Sequence, residues 1–221
     1  MVLKLYVSAN FGGGGAIVAM VLAEKDISYE TIFVNLAKKE SKTPEFLAMH
    51  PFGQVPLIDD DGFILYESRA ICRYLAEKYA DKGPALLPTG LKAMAIFEQA
   101  ASVESANFSP ALMKVAMEAL GKPRRGLPVD QAVLDEALVG FSEKLDAYEV
   151  ILGKQKFAAG DELSVVDIFH LMYAPALASR AGIDIMTKAE RPNVTRWWNE
   201  LIARPAWVKL QAEGYKVATE S

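Results

Sequence analysis

The stretch PFGQVPLIDDDGFILYESRAI, Pro51 to Ile71, decides the fold. Val55–Ile58 and Phe63–Tyr66 are short apolar runs flanking Asp59-Asp60-Asp61-Gly62, and acidic residues closing on a glycine between such runs predict a hairpin. Ile71, Tyr74, Leu75 and Tyr79 then fall at helical spacing and predict a helix from Ser68 to Tyr79. Pro56 stands at a strand start, where its ring does not spoil the ladder. A cis Val55–Pro56 bond would aim the Val55 backbone N–H and C=O sideways, toward an extended peptide ligand. Glu67 and Ser68 directly precede the helix. Free N–H groups and the positive dipole end attract a carboxylate there, and Glu67 complements an ammonium group. The corner suits the α-amino acid end of a ligand, although the same residue types also serve as plain helix caps.

Upstream, Val2–Tyr6 alternates as a strand, Gly12–Gly15 breaks the chain, and Ala16–Lys25 reads as a helix apolar almost all round. Such a helix is buried between layers. Tyr29–Val34 is a second strand, parallel to the first in a βαβ unit. A polar stretch and a short helix at Glu45–Met49 lead into the hairpin. The order βαβ then ββα is that of the thioredoxin-like fold. ADKGPALLPTG follows as a linker, and after it only helical patterns run: Ala93–Leu120, Val129–Leu152, Ser164–Ala181 and Val194–Ala203. The expected organisation is α+β: a thioredoxin-like domain over residues 1–80, a linker over 81–91 and an all-helical domain over 92–221.

Composition narrows the function. Of 221 residues, 52% are hydrophobic, so there is ample material for a core, and the formal charge of −4 gives no attraction for phosphate backbones or anionic membranes. Nucleic-acid and membrane partners are therefore not expected. The uncharged segment between Lys4 and Glu24 is interrupted by Ser8, Asn10 and the glycines, too polar for a span and short for a secretion signal. One cysteine, Cys72, allows no internal disulfide, which fits a reducing, cytoplasmic setting, and with only two histidines it leaves a metal site little to work with. Cys72 lies inside its helix rather than at an N-terminus, which marks a buried structural thiol. Ser164 with Asp167 three residues on forms a variant capping box, flanked by Leu163 and Ile168 as a hydrophobic staple. Trp197, Trp198 and Trp207 read as core.

Taken together, PEFLAMHPFGQVP (Pro44–Pro56), YESRAICRYLAEKYADKG (Tyr66–Gly83), AGDELSVVDIFHL (Ala159–Leu171) and RPNVTRWWNELIARPAW (Arg191–Trp207) make the chain resemble the cytosolic glutathione transferases, the phi type especially, over nearly its whole length. The resemblance implies a glutaredoxin-like domain that binds glutathione and a helical domain that supplies most of a hydrophobic substrate pocket. It assigns Gln54 and the Val55 backbone, beside Pro56, to the cysteinyl-glycine part of glutathione and Glu67 and Ser68 to its γ-glutamyl end. Lys42 approaches the glycine carboxylate, with Ser41 where the class commonly has histidine. Phe11, Phe108 and Met113 are candidate walls for the second substrate, with ordinary core packing as the competing role for Phe108 and Met113. Neither metal nor organic cofactor is implied, and the family habit is a homodimer.

The pattern breaks at one place. Counting back from PFGQVP, the phi-type activating serine falls on Gly12, inside Ser8-Ala9-Asn10-Phe11-Gly12-Gly13-Gly14-Gly15. A thiol ionises near pH 8.5, so lowering it by about two units requires about 2.7 kcal/mol of differential stabilisation. Backbone N–H groups of Gly12 or Gly13 at the positive helix end are one source. Asn10 or Ser8 is another. Alternatively, the chain holds glutathione or apolar ligands without catalysis. A glutaredoxin-like disulfide reductase is disfavoured because no cysteine lies near Gly12.

Overall fold

In a computed structural model, which describes residues 2–215, β1 (Leu3–Val7) pairs in parallel with β2 (Tyr29–Phe33), from Leu3 opposite Tyr29 to Val7 opposite Phe33. On its other side β1 runs antiparallel to β3 (Leu57–Asp60), which pairs antiparallel with β4 (Phe63–Tyr66), giving the strand order β2-β1-β3-β4. The hairpin turn is the two residues Asp61 and Gly62, at φ 56° and 87°. Both angles are left-handed, as the twist of a two-residue hairpin requires, and Asp59 holds the turn by accepting the Gly62 N–H at 2.8 Å. β3 begins two residues later than the apolar pattern suggests, because Pro56 has no N–H for the ladder.

Helix α1 (Gly13–Glu24) crosses between β1 and β2, and Ala16 through Leu22 are all fully buried. Its all-apolar surface packs against the sheet, α3 (Ser68–Lys78) and α11 (Pro205–Glu213). Lys25, just past the α1 end, is buried and donates from Nζ to the carbonyls of Lys82 (2.9 Å) and Pro84 (2.8 Å). It therefore ties the chain after α3 back to α1. The short α2 (Pro44–Met49) is capped by Thr43, whose hydroxyl accepts the Phe46 N–H, and Phe46 packs with Val34 and Leu57 against Val55 and Tyr66.

Two units emerge, residues 2–86 with 205–215 and residues 87–204. The described C-terminal stretch from Pro205 thus belongs with the sheet, whereas the sequence places it in the helical domain. Trp207 and Leu210 of α11 are buried, and Trp207 lies 5.9 Å from the Phe11 ring. Met1 and residues 216–221, the outer ends of the two expected domains, lie outside the described residues.

The helical unit holds α4 (Leu91–Val103), α5 (Ser109–Ala116), α6 (Lys122–Arg124), α7 (Gln131–Leu152), α8 (Val165–Phe169), α9 (Ala174–Ala181) and α10 (Pro192–Ile202). Proline explains why the long predicted helices are broken. Pro110 and Pro123 cannot donate to the carbonyls four residues back, and the ladder widens to π turns at Glu104–Phe108 and Met117–Gly121. Pro175 ends the α8 run in the same way, at the 3-10 turn His170–Met172. Asp167, wholly buried, accepts four hydrogen bonds: from the N–H and hydroxyl of Ser164, the Ala158 N–H and the Trp197 indole. The capping box is present and also fastens α8 to α10.

Candidate functional site

The sequence-predicted residues of the sheet unit gather around the segment between α2 and β3. The Val55–Pro56 bond is cis. Since β3 starts at Leu57, the Val55 backbone lies outside the ladder and is held in place by its side chain against Phe46, Val34 and Leu57. Gln54 is exposed beside it. Gly53 turns with φ 55°, and a Cβ there would lie 2.4 Å from the Ser41 carbonyl oxygen and 2.9 Å from the Lys42 side chain. Only glycine lets the Ser41-Lys42 turn close on this segment. Lys42 Nζ donates to the Phe52 carbonyl at 2.6 Å, which places an ammonium beside Gly53 and Gln54. Ser41 itself is buried.

On the other flank, Glu67 sits at φ 70°, a conformation uncommon for a residue with a side chain, at the sharp passage from β4 to α3. No side chain caps α3, since Glu67 makes no cap bond and Ser68 is already helical. The capping role that the sequence allowed for this pair is therefore unfilled, and the first-turn N–H groups and positive end of α3 stand with an exposed carboxylate beside them. An ordered backbone outlier of this kind costs about 1–3 kcal/mol and concentrates at functional sites.

The glycine loop meets the same corner. Gly12, at φ 140° and ψ −175°, precedes α1, and Gly13 opens it at φ 59°. Both need glycine for backbone reasons. A Cβ on Gly14 would stand 2.9 Å from Pro56 Cδ and 3.1 Å from the Ser68 Cβ and Oγ. Gly14 therefore lets the start of α1 seat against Pro56 and Ser68. At Gly12 a Cβ would meet nothing within 4 Å, so the space in front of the helix start is open. Phe11 is half-buried, with its ring 5.0 Å from Tyr215.

The helical unit changes one assignment. Phe108 is 1% exposed and packs edge-on to Phe141 at 5.1 Å and His170 at 4.5 Å, so it is core rather than a wall open to a ligand. Met113 is half-buried on α5. Cys72 is fully buried and burial pushes its thiol far up, which makes it an inert structural thiol.

Two residues near the site were not singled out from sequence. His50 is buried, stacks on Tyr66 at 4.3 Å, and its Nδ1 has no hydrogen-bond partner. Burial lowers its pKa, against the attraction of Glu67 and together with the repulsion of Lys42. Its one signal was its place inside the Pro44–Pro56 motif. Tyr215 donates from its hydroxyl to the Gly12 carbonyl at 3.2 Å, across 203 positions of sequence, and no local pattern announces it. Among the described residues there is no cluster of three or more metal-ligating side chains, and no helix is long and apolar enough to cross a membrane.

A four-stranded thioredoxin-like unit with this corner, joined to an all-helical unit, defines a protein of the glutathione transferase fold. The comparisons place it accordingly. Residues 3–77 match the glutathione S-transferase N-terminal domain and residues 108–205 the glutathione S-transferase C-terminal domain, and the chain belongs to the glutathione S-transferase family. It is 43% identical to glutathione S-transferase hmp2 of Hypomyces subiculosus, covering 96% of this chain and 99% of that one. It is 40% identical to glutathione S-transferase F11 of Arabidopsis thaliana, covering 95% and 97%. Among solved structures, glutathione transferase F7 of Populus trichocarpa superposes with a TM-score of 0.88 at 36% identity, covering 96% and 98%. Maize glutathione S-transferase I in complex with an atrazine glutathione conjugate gives 0.85 at 33% identity, covering 96% and 97%. Its relatives are thus of the F, or phi, type.

Proposed function

We propose that the protein is a transferase that joins the sulfur of reduced glutathione to hydrophobic electrophiles. The observation that carries this reading is the seating of Gly14 on Pro56 and Ser68, which sets the start of α1 against the corner where Glu67 and Lys42 flank the chain. In the proposed complex Glu67 and Ser68 hold the γ-glutamyl end, the ammonium on the carboxylate and the α-carboxylate at the α3 start. Gln54, with the Val55 backbone beside Pro56, pairs with the cysteinyl-glycine part, and Lys42, bordered by Ser41, neutralises the glycine carboxylate.

No hydroxyl stands at the activating position. Its role falls to the backbone N–H groups of Gly12 and Gly13 at the positive end of α1, of which two units of thiol pKa would require about 2.7 kcal/mol. The thiol proton leaves to solvent on binding. The sulfur pair then forms the bond to the acceptor carbon, and the displaced group departs with its electrons or the pair moves onto the acceptor. Phe11, half-buried in the sheet unit, is the proposed apolar contact of the acceptor. Neither a metal nor an organic cofactor enters the reaction. A homodimer and a cytoplasmic location complete the proposal, the latter because the lone cysteine is buried and unbridged.

Titration with glutathione, read by the ultraviolet absorbance of bound thiolate near neutral pH, tests the proposal, with conjugation to an aryl halide as the second readout. Binding with a thiolate signal and turnover is expected. Binding without thiolate overturns the transferase reading and leaves a carrier. Light scattering at micromolar concentration tests the dimer, and a monomer refutes it.

A further inference from the structure

We propose that Tyr215 is a positioning residue for the sulfur site, acting through the Gly12–Gly13 peptide; this rests on the transferase reading above. The glycine run has no side chains with which to hold itself, and it combines φ 140° at Gly12 with φ 59° at Gly13. Such a loop is entropically costly to keep in one conformation. The structure supplies external anchors instead. On one side Pro56 and Ser68 abut Gly14. On the other, the Tyr215 hydroxyl donates to the Gly12 carbonyl at 3.2 Å and sits 2.4 Å from where a Cβ on Gly15 would stand. Gly15 is thus the seat of the Tyr215 hydroxyl. Tyr215 is 6% exposed, with its ring 5.0 Å from Phe11 and 6.5 Å from Phe33.

The geometry of one peptide unit carries the consequence. The Gly12 carbonyl and the Gly13 N–H belong to the same planar trans group and point in opposite directions. Drawing the carbonyl toward Tyr215 and the Ala16 N–H, which it meets at 3.4 Å, turns the Gly13 N–H out of the helix start. A carbonyl that accepts a second hydrogen bond also polarises its peptide and strengthens the attached N–H as a donor. The Tyr215 hydroxyl cannot serve the sulfur directly, since it is buried and already donates to Gly12. Burial raises its pKa, with Tyr29 the phenol near it, so it remains a protonated donor throughout the working range.

Tyr215→Phe keeps the ring and removes only the donor. The expected result is a rise of up to about one unit in the thiol pKa of bound glutathione, the share of a single hydrogen bond. The same variant should lose about three- to tenfold in kcat/KM at pH 6.5 and converge with the parent above the raised pKa. KM for glutathione should stay within about twofold. In the unliganded protein, the Gly12 carbonyl carbon and Gly13 amide resonances should shift while that of Gly140 does not. Superimposable pH profiles of variant and parent, or an unmoved Gly12 carbonyl resonance, would overturn the proposal and leave the transferase reading intact. A parent that binds glutathione without any lowered thiol pKa removes the Gly13 donor and, with it, the role of Tyr215. That failure shows in the parent rather than only in the variant.

Discussion

Replacing Asp167 with alanine tests how the helical unit is held. The carboxylate is wholly buried and accepts the Ala158 N–H at 2.8 Å, the Trp197 indole N–H at 2.9 Å, and the Ser164 N–H and hydroxyl at 2.9 and 3.1 Å. The hydroxyl can rotate to another acceptor, but three N–H donors would be left in the interior. Each orphaned donor costs about 1–3 kcal/mol, and water entering the vacated space holds the sum near the low end, so the expected loss is about 3–5 kcal/mol. The cost should fall on the packing of α8 against α10, because Trp197 lies in that joint at 4.8 Å from the His170 ring. Urea unfolding followed by tryptophan fluorescence measures it, with Ser164→Ala as the internal comparison at about 1 kcal/mol, the usual worth of a cap. A loss below about 1 kcal/mol for Asp167→Ala would refute the reasoning, since the donors would then have found other partners.

Three further outcomes follow from the structure. Lys25→Met keeps the buried stem but strips the Lys82 and Pro84 carbonyls of their donor, and should lower the denaturation midpoint by the equivalent of about 1–3 kcal/mol. Gly140→Ala should stabilise by about 0.5–1 kcal/mol in the same assay, because the glycine lies inside α7 and a Cβ there would meet nothing within 4 Å. Burial holds His170 below the usual imidazole range, against the attraction of Glu104 and Asp167, and it lowers His50 likewise. The unfolded chain therefore binds protons near pH 6.5 that the folded chain refuses. Stability should be full above that value and fall from pH 7 to 5 by up to about 1.4 kcal/mol per unit for each histidine. Urea midpoints across that range check the slope, which should flatten in His170→Gln; stability that rises on acidification would contradict it.

The sequence by itself determined a great deal here, because the informative signals were local. Pro56, the Asp61-Gly62 turn and the α3 periodicity specify the hairpin and helix through backbone rules that act over a few residues. The Ser164–Asp167 box was legible for the same reason, although its bond to Trp197 was not. The parallel pairing of β1 with β2 follows from a βαβ order that admits one handedness. The residues proposed to hold glutathione are named by motifs alone, and Gly12 stands out by its mismatch with them.

Only the tertiary structure decided what lies across long stretches of chain. Phe108 went to the core rather than a ligand wall because Phe141, Tyr148 and His170 close around it. Residues 205–215 joined the sheet unit because Trp207 and Leu210 find their cover there. The glycine run acquired its meaning only when Pro56 and Ser68 were seen against Gly14, and Tyr215 against Gly15. A glycine records in sequence that a side chain is missing. What occupies the space is another part of the chain, brought there by folding.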